Sequence, residues 1–495
     1  MNHTQLIIKP LKPKPNPPIT PAVTDDRTSQ QRLTDIHTNS TLPDYSNDIL
    51  SAQIKFCKKF ASMEDDKILN EIVKCYAEIN TLAQDVNASP NKIEGNPQDL
   101  SPSQKKFGVK HDEFDRTFNG IMALKWILAG DYKQFVSVQN EYVKLSKGGF
   151  NTLQVYIKSV IKTSEDINAM IISMVINDLG KVKSFIKTAK LEYGITEIDH
   201  DKILLGALRK NPRVSPSFFS LKQEYQDIIL NGLETGFNLG QLLQCENVAA
   251  SLSKLNKLSS LELDFLLIHA FLDIAGVGGN VKHGGCLIAT QPLFDSFECA
   301  KNALRKNINN ISNAYNAFID NKAKIYGITT EDIRKKVALV KLSSLIRLNT
   351  KEEVQKLSQH FENIDENIKN KLIEELNISG LDGEVAILIY YSPAIVSNIK
   401  VHNSKDRLNG LGQQSINDAI YLLERIYRDS REFVNQSEYK GRVFTIHALN
   451  IANYTKNSYT NEKLKAILEN TLPFEFKRAG NYDASISIID DKKDN

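Results

Sequence analysis

The chain has 495 residues, of which 41% are hydrophobic, so it is long enough for two or three domains with a sizeable core. Its 62 Lys and Arg residues against 59 Asp and Glu residues give a net charge of +3, which is too small to indicate binding to nucleic acid or to a membrane surface. The five cysteines are widely spaced and include no Cys-x-x-Cys pair, which favours a reducing compartment. Without an apolar signal core or a long apolar run, the chain is expected to be cytoplasmic, with no cleaved signal peptide and no transmembrane segment, unless it is exported by a non-classical route.

Composition divides the chain into five predicted regions. Residues 1–47 are rich in Pro, Thr, Asn and Lys and predict a disordered proline-rich arm. Its Pro-x-x-Pro segments could bind a protein partner as polyproline II helices, with a solvated tail as the alternative. The other regions are a helical hairpin with a linker at 48–109, an all-α core at 110–380, a mainly helical C-terminal region at 381–480 and a polar tail at 481–495.

Helical signals follow one another almost without a break from His111 onward, which predicts a mostly α fold. Long helices are expected near 165–190, 259–275 and 291–325. Two segments, 385–391 and 441–448, are rich enough in β-branched and aromatic residues to be strands. Because predicted helices surround both segments, we do not expect them to form a sheet.

Asp178 lies at the end of an apolar helical stripe that predicts an inward-facing carboxylate. The residues before it repeat at the spacing of one buried helix face, namely Ile167, Met170, Ile171, Met174 and Val175. A buried carboxylate costs several kcal/mol unless it binds a metal, pairs with a base or takes up a proton. Lys181 follows one turn later and is a candidate partner.

Two other predicted helices carry histidine and aspartate. Asp199-His200-Asp201 begins an amphipathic helix, where Asp199 is expected to cap the helix and His200 is a candidate ligand. His269 and Asp273 lie four residues apart, and therefore on one face, in a helix that is apolar on all sides. Such a buried pair either orients an imidazole, binds a divalent metal or forms a structural pair.

A glycine-rich loop, residues 276–285, follows that helix directly. Its backbone N–H groups could approach an anion, with Lys282 or His283 supplying charge, so that Gly278, Gly279, Lys282 and His283 are candidate cofactor-binding residues. The loop matches neither the Walker nor the dinucleotide fingerprint. A flexible connection is the alternative.

Together these residues have the ligand chemistry of a divalent metal site. Imidazole and carboxylate groups suit Mn, Fe, Mg or Zn, and the expected ligands are Asp178, His200, His269 and Asp273. Such a metal would activate a bound water against a phosphoryl group. Lys181, which could hold a phosphate oxygen, and Asp201 are the expected catalytic residues beside it.

At these residues the chain resembles the HD-domain superfamily of metal-dependent phosphohydrolases. That family has an all-α core with a His-Asp doublet followed by a small apolar residue, Gly and Lys. The segment Asn177-Asp178-Leu179-Gly180-Lys181 is similar to it, with Asn177 in place of the histidine. His200 falls where phosphodiesterase-type members have an additional histidine ligand, and Asp273 where the distal aspartate is expected. The resemblance covers roughly residues 150–300 and implies a multi-helix HD-like bundle.

The resulting hypothesis is a metal-dependent phosphoester hydrolase of the HD type, acting on a phosphorylated small molecule or a nucleotide. The first alternative is a catalytically inactive helical protein-interaction module, whose composition would also suit a bacterial effector directed to a host. The second is a nucleotide or phosphate binder without catalysis, which would use the glycine-rich loop and Lys282.

Overall fold

A computed structural model describes residues 46–83, 88–89, 100–197, 199–403, 413–437, 439–457, 460–479 and 483–489. Ser46–Asn495 forms one compact unit. The mostly α fold predicted from the sequence is confirmed. The first 45 residues of the predicted arm and residues 490–495 of the predicted tail lie outside the described residues.

The N-terminal helices are tied to the rest of the unit by buried hydrogen bonds. They are α1 (Ser46–Cys57), α2 (Asp65–Cys75), α3 (Ala77–Thr81) and α4 (Pro102–Phe107), and the strands β1 (Ala88–Ser89) and β2 (Lys110–His111) form an antiparallel pair. Tyr76 donates to Asn168 Oδ1 at 2.8 Å, and the buried carboxylate of Glu78 accepts from Ser215 and Ser217 at 2.6–2.8 Å. The hairpin is therefore part of the main core.

The helices of the main body surround one continuous apolar core. They are α5 (Asp112–Ala129), α6 (Tyr132–Phe135), α7 (Lys147–Val160), α8 (Ser164–Asn177), α9 (Lys183–Tyr193), α10 (His200–Lys210), α11 (Pro216–Phe219), α12 (Gln223–Thr235), α13 (Leu239–Leu243), α14 (Ser260–Gly276), α15 (Gln291–Asn307), α16 (Ile311–Tyr326), α17 (Ile333–Leu345), α18 (Lys351–Glu362) and α19 (Glu366–Asn377). Short 3-10 turns lie at Phe60–Ser62, Leu179–Lys181, Pro212–Val214 and Ala249–Lys257. Within the described part of the chain, no helix combines the length and the apolar character needed to cross a bilayer.

Two helices predicted as continuous are divided in the structure. The predicted helix 165–190 ends at Asn177, and Asp178 has φ −98° and ψ 9° before the 3-10 turn Leu179–Lys181. The predicted helix 291–325 is divided into α15 and α16. In the first case a tertiary contact explains the break, because a Cβ atom on Gly180 would lie 2.0 Å from the carbonyl oxygen of His200. The turn is pressed against α10, and apolar periodicity does not report such contacts.

Glycines bring α5 and α14 into backbone contact at the centre of the core. A Cβ atom on Gly276 would lie 2.3 Å from the carbonyl oxygen of Arg116, and one on Gly120 would lie 2.8 Å from that of Leu272. These positions exclude any larger side chain unless the helices separate. The close approach places the first three turns of α5 beside the last two turns of α14.

The C-terminal region is mainly helical but also contains a sheet that the sequence did not predict, and the two segments favoured as strands, 385–391 and 441–448, both contribute to it. Its strands are β3 (Ala386–Tyr390), β4 (Val443–His447), β5 (Phe474–Arg478) and β6 (Asp483–Ile488), and its helices are α20 (Ser392–Asn403), α21 (Gln413–Asn435), α22 (Leu449–Asn457) and α23 (Asn461–Leu468). The strand order is β3-β4-β6-β5, with β5 antiparallel to β6 and the other pairs parallel. The predicted polar tail therefore supplies β6. Short apolar runs do not distinguish strands from buried helical turns, which is why the sequence pattern missed the sheet.

The buried carboxylate of Glu246 joins the helical body to this α/β layer. Glu246 is only 5% exposed, and its Oε1 atom accepts a hydrogen bond from the backbone N–H of Tyr391 at 2.9 Å. Tyr391 connects β3 to α20 and has φ 78°, which is a strained conformation for an aromatic residue. A bidentate ion pair between Arg431 and Glu375, at 2.8 Å for both contacts, joins the two parts a second time.

Glu246 is expected to make stability depend on pH. Burial raises its pKa to about 7, against the opposing effects of the Tyr391 N–H and the Arg347 charge. As the pH rises from 4.5 to 7, the unfolded chain loses this proton while the folded chain retains it, so the free energy of unfolding falls. Over this interval we expect the free energy of unfolding to fall by on the order of 2 kcal/mol more in wild type than in E246Q, in which residue 246 cannot titrate. Urea unfolding at several pH values measures the difference.

The control is E352Q, at an exposed position of α18. Its unfolding free energy should follow that of wild type across the interval. Equal pH slopes for wild type, E246Q and E352Q would contradict the assignment of a raised pKa to Glu246.

Candidate functional site

A cleft of about 1790 Å³ opens between the helical body and the α/β layer. One wall carries the ionisable side chains of four elements, α5, the turn after α8, α10 and α14. They are Glu113, Arg116, Asp178, Lys181, His200, Asp201, His269 and Asp273. Every predicted metal ligand and both predicted catalytic residues thus face one cavity.

Lys181 is the partner of Asp178. Asp178 is 6% exposed, and its Oδ1 atom lies 2.8 Å from Lys181 Nζ. Burial raises the pKa of Asp178. Lys181 opposes burial through its charge and its hydrogen bond, and together with Glu113 and His200 it brings the pKa below its usual value. The 3-10 turn makes this contact possible, because it places the lysine three residues after the aspartate on the same side of the backbone.

Glu113 is the second carboxylate beside Lys181, and the sequence pattern did not identify it. Its Oε2 atom lies 3.6 Å from Lys181 Nζ, while Oε1 accepts from Arg116 at 3.1 Å. Burial and the charge of Asp178 raise the pKa of Glu113, as expected for two carboxyl groups crowded around one ammonium group. From the sequence, an acidic residue in a first helical turn looks like ordinary stabilisation of the helix dipole.

His200 and Asp201 form a second polar pair at the start of α10. His200 Nε2 lies 3.2 Å from Asp201 Oδ1 and 3.9 Å from Asp178 Oδ1. A proton on Nε2 would face Asp201 and leave Nδ1 as the proton acceptor. Burial raises the pKa of Asp201 despite the opposing effect of His200. Asp199 caps α10 by accepting from Lys202 N at 3.0 Å, as the sequence predicts.

His269 and Asp273 line the same wall from α14. Burial lowers the pKa of His269 to about 4, so its imidazole is neutral near pH 7. Its Nε2 atom has no hydrogen-bond partner within the described part of the chain. Burial and the charge of Asp178 raise the pKa of Asp273 to about 6, although its side chain is open to the cleft. Burial is the largest cause of both pKa shifts, and the negative charge of Asp178 adds to the shift of Asp273 and opposes that of His269.

The arrangement does not fit the predicted metal site. Among the described residues, no group of three or more His, Cys, Asp or Glu side chains is placed to hold a metal ion. The ammonium group of Lys181, 2.8 Å from Asp178 Oδ1, takes the place beside this carboxylate that a cation would occupy. The four predicted ligands share a cleft without forming a coordination shell, which requires donors within about 2.0–2.6 Å of one point.

The glycines of the loop after α14 serve close packing. A Cβ atom on Gly279 would lie 2.5 Å from Asn119 Cβ, and one on Gly278 would lie 2.7 Å from Leu287 Cβ. Gly278, Gly279, Lys282 and His283 are not among the residues that line the cleft, and Lys282 is exposed. Their anion-binding role stays a prediction, and the packing explains the glycines without it.

The opposite wall of the cleft belongs to the α/β layer and was not identified from the sequence. Tyr390, Tyr391 and His447 lie at the carboxyl ends of β3 and β4, and Asp483 begins β6. His447 Nε2 lies 3.5 Å from Asp483 Oδ2. These residues are up to 93 positions apart in the sequence and meet only through the pairing of the strands. No local pattern therefore relates them.

A family model described as a family of unknown function (DUF6829) matches residues 71–458, and the chain belongs to this family. The comparison with curated proteins finds no match. The comparison with solved structures finds none either.

Gly180 is expected to be required for the contact between the Asp178 turn and α10. In G180A the added methyl group would lie 2.0 Å from the carbonyl oxygen of His200, and we expect a loss of about 1–3 kcal/mol in the free energy of unfolding. G148A, in the first turn of α7, is the matched control because its methyl group would meet only Ser146 Oγ at 3.9 Å. Urea unfolding measures both. Equal stabilities for the two variants would contradict the close contact.

Proposed function

We propose that this member of a family of unknown function is a phosphoester hydrolase whose active site is the cleft. The observation that carries the proposal is the position of the His200–Asp201 pair beside Lys181 in one cavity. Titratable groups with shifted pKa values that converge in a large cleft are typical of catalytic sites. Imidazole, ammonium and guanidinium groups are the types that proton transfer and phosphoryl binding require.

In this proposal His200 transfers the proton of the attacking water. Asp201 holds the imidazole through Nε2 and leaves Nδ1 to accept the proton. The water oxygen forms a bond to phosphorus, and the ester P–O bond breaks. A general base of this kind contributes about 100-fold or more to the rate.

Lys181 and Arg116 supply the positive charge that faces the phosphoryl oxygens. Asp178 and Glu113 hold the Lys181 ammonium group at the cleft wall, and Glu113 also holds Arg116. The cations are therefore in place before a substrate enters. Preorganised charge of this kind stabilises a transition state without the cost of reorganising the site.

The resemblance to HD-domain phosphohydrolases supports the phosphoester as the substrate class. It rests on Asn177-Asp178-Leu179-Gly180-Lys181 and on His200. In that family a bound metal provides the positive charge and the activated water. Among the side chains that the structure describes, none form a metal site, so the proposal assigns both roles to the groups of the chain itself.

Hydrolysis should survive the removal of divalent metal. Purified protein treated with EDTA is assayed against p-nitrophenyl phosphate, bis-p-nitrophenyl phosphate and a set of nucleotides, with and without added Mn²⁺. We expect at least one ester to be hydrolysed at a rate that EDTA changes by less than about 3-fold. This factor corresponds to less than about 1 kcal/mol in activation free energy. A strict need for Mn²⁺ would refute the metal-independent mechanism. No turnover under any condition would favour the alternative of a protein-interaction module.

Replacing His200 should abolish most of this activity while the protein stays folded. We expect H200Q to lose about 100-fold or more in kcat, with an unfolding midpoint close to that of wild type because His200 lies at the mouth of the cleft with a side chain that is 35% exposed. H360Q, in the last turn of α18 and outside the cleft, is the control. An equal rate for H200Q and H360Q would rule out His200 as the proton acceptor.

A further inference from the structure

We infer that the α/β wall of the cleft is the second half of the active site, where His447 donates the proton that the leaving-group oxygen requires. This inference builds on the proposed hydrolase and extends it in two ways. It assigns a catalytic residue on a different part of the chain from His200. It also assigns a substrate class, namely phosphoesters of alcohols, whose leaving groups need protonation.

The location of this wall is one that α/β structures use for ligands. Parallel strands β3 and β4 both end at the cleft, where Tyr390, Tyr391 and His447 line it. Ligands of open α/β sheets bind outside the carboxyl ends of the strands, where loops and helix starts meet. Helices α20 and α22 begin at this edge, directly after β3 and β4.

His447 is placed as a partly accessible and oriented imidazole. Its Nε2 atom lies 3.5 Å from Asp483 Oδ2, and the two side chains are 39% and 37% exposed. The ring of Tyr390 meets it edge-to-face, with centroids 5.9 Å apart. The imidazole is therefore restrained from two sides and still open to a ligand in the cleft.

The turn beside His447 is strained, and a buried carboxylate holds it in place. Tyr391, a bulky residue, has φ 78°, and its N–H donates to Glu246 Oε1 at 2.9 Å. Backbone strain of about 1–3 kcal/mol persists only where the surrounding structure enforces it, and it concentrates at functional sites. The rings of Tyr390 and Tyr391 are tilted against each other here, with centroids 4.3 Å apart, which gives the wall an aromatic surface.

Tyr390 also connects the two walls. Burial, the neighbouring Tyr391 and the charges of Glu246 and Asp201 raise the pKa of its phenol group. The Asp201 charge acts from the opposite wall, where it pairs with His200. The two His-Asp pairs therefore line the same cleft.

The reaction balances with these two histidines. The water oxygen bonds to phosphorus while His200 takes the water proton, the ester P–O bond breaks, and its electron pair stays on the leaving oxygen. His447 gives that oxygen its proton, which yields an alcohol and a phosphate. Proton exchange with solvent then restores both imidazoles, so no other co-reactant is needed.

The test compares esters that do and do not need protonation of the leaving group. Full-length wild type, H447Q and the control H360Q are assayed with p-nitrophenyl phosphate and with benzyl phosphate. We expect H447Q to lose about 100-fold or more in kcat/KM with benzyl phosphate and less than about 5-fold with p-nitrophenyl phosphate, because nitrophenolate leaves without a proton. Urea unfolding of each variant verifies that it is folded.

The results distinguish a failure of the His447 assignment from a failure of the proposed hydrolase function. Equal losses of H447Q with both esters, or no loss with either, would overturn the assignment of His447 and leave the hydrolase proposal standing. Absence of turnover by wild type with every ester would overturn the proposed function and this inference together. Should H447Q fail to fold, Y390L and D483N provide the second test, since a proton donor oriented by these groups predicts a larger loss with benzyl phosphate than with p-nitrophenyl phosphate.

Discussion

At Gly276 the backbone of α14 lies so close to α5 that an added Cβ atom would be 2.3 Å from the carbonyl oxygen of Arg116. A comparable contact at Gly180 would bring a Cβ atom within 2.0 Å of the carbonyl oxygen of His200. These two contacts position the four elements that make one wall of the cleft. Because a side chain at either glycine would force backbone segments apart, the separations among the charged groups depend on these positions remaining glycine.

The wall has a surplus of carboxyl groups relative to the cations that face them. Glu113, Asp178, Asp201 and Asp273 share Lys181 and Arg116 as their fixed cations. Only Asp178, in direct contact with Lys181 at 2.8 Å, has a lowered pKa, while the other three have raised ones. Burial is the largest cause of these raised pKa values, and the nearby negative charges add to it because a second charge is costly in a partly buried site.

Helical periodicity was enough to predict several features of the site. It placed Asp178 inward at the end of an apolar stripe, and it placed His269 and Asp273 on one face of a buried helix; all three line the cleft. It also indicated the mostly α fold. It did not reveal Glu113, whose position in a first helical turn is common for reasons unrelated to function. Nor did it predict that Lys181, rather than a metal, lies beside Asp178, because this contact depends on a 3-10 turn.

The C-terminal sheet is a larger feature that local sequence patterns likewise could not predict. Its strands have five or six residues each, and short apolar runs carry too little periodic signal to exclude a helix. Tyr390, His447 and Asp483 meet only because parallel pairing brings distant strands together. An inference from local spacing therefore could not relate them to one another or to His200.

The sequence by itself determined the helical class, the inward direction of Asp178 and the chemical types of groups in the cleft. These properties follow from the repeat of the α-helix and from the cost of burying a charge, which act over a few residues. The tertiary structure alone decided that Lys181 and Glu113 flank Asp178, that Gly279 after α14 packs against α5, and that an α/β layer faces the helical wall. Those outcomes depend on contacts between segments far apart in the chain, for which a single sequence provides no measure of distance.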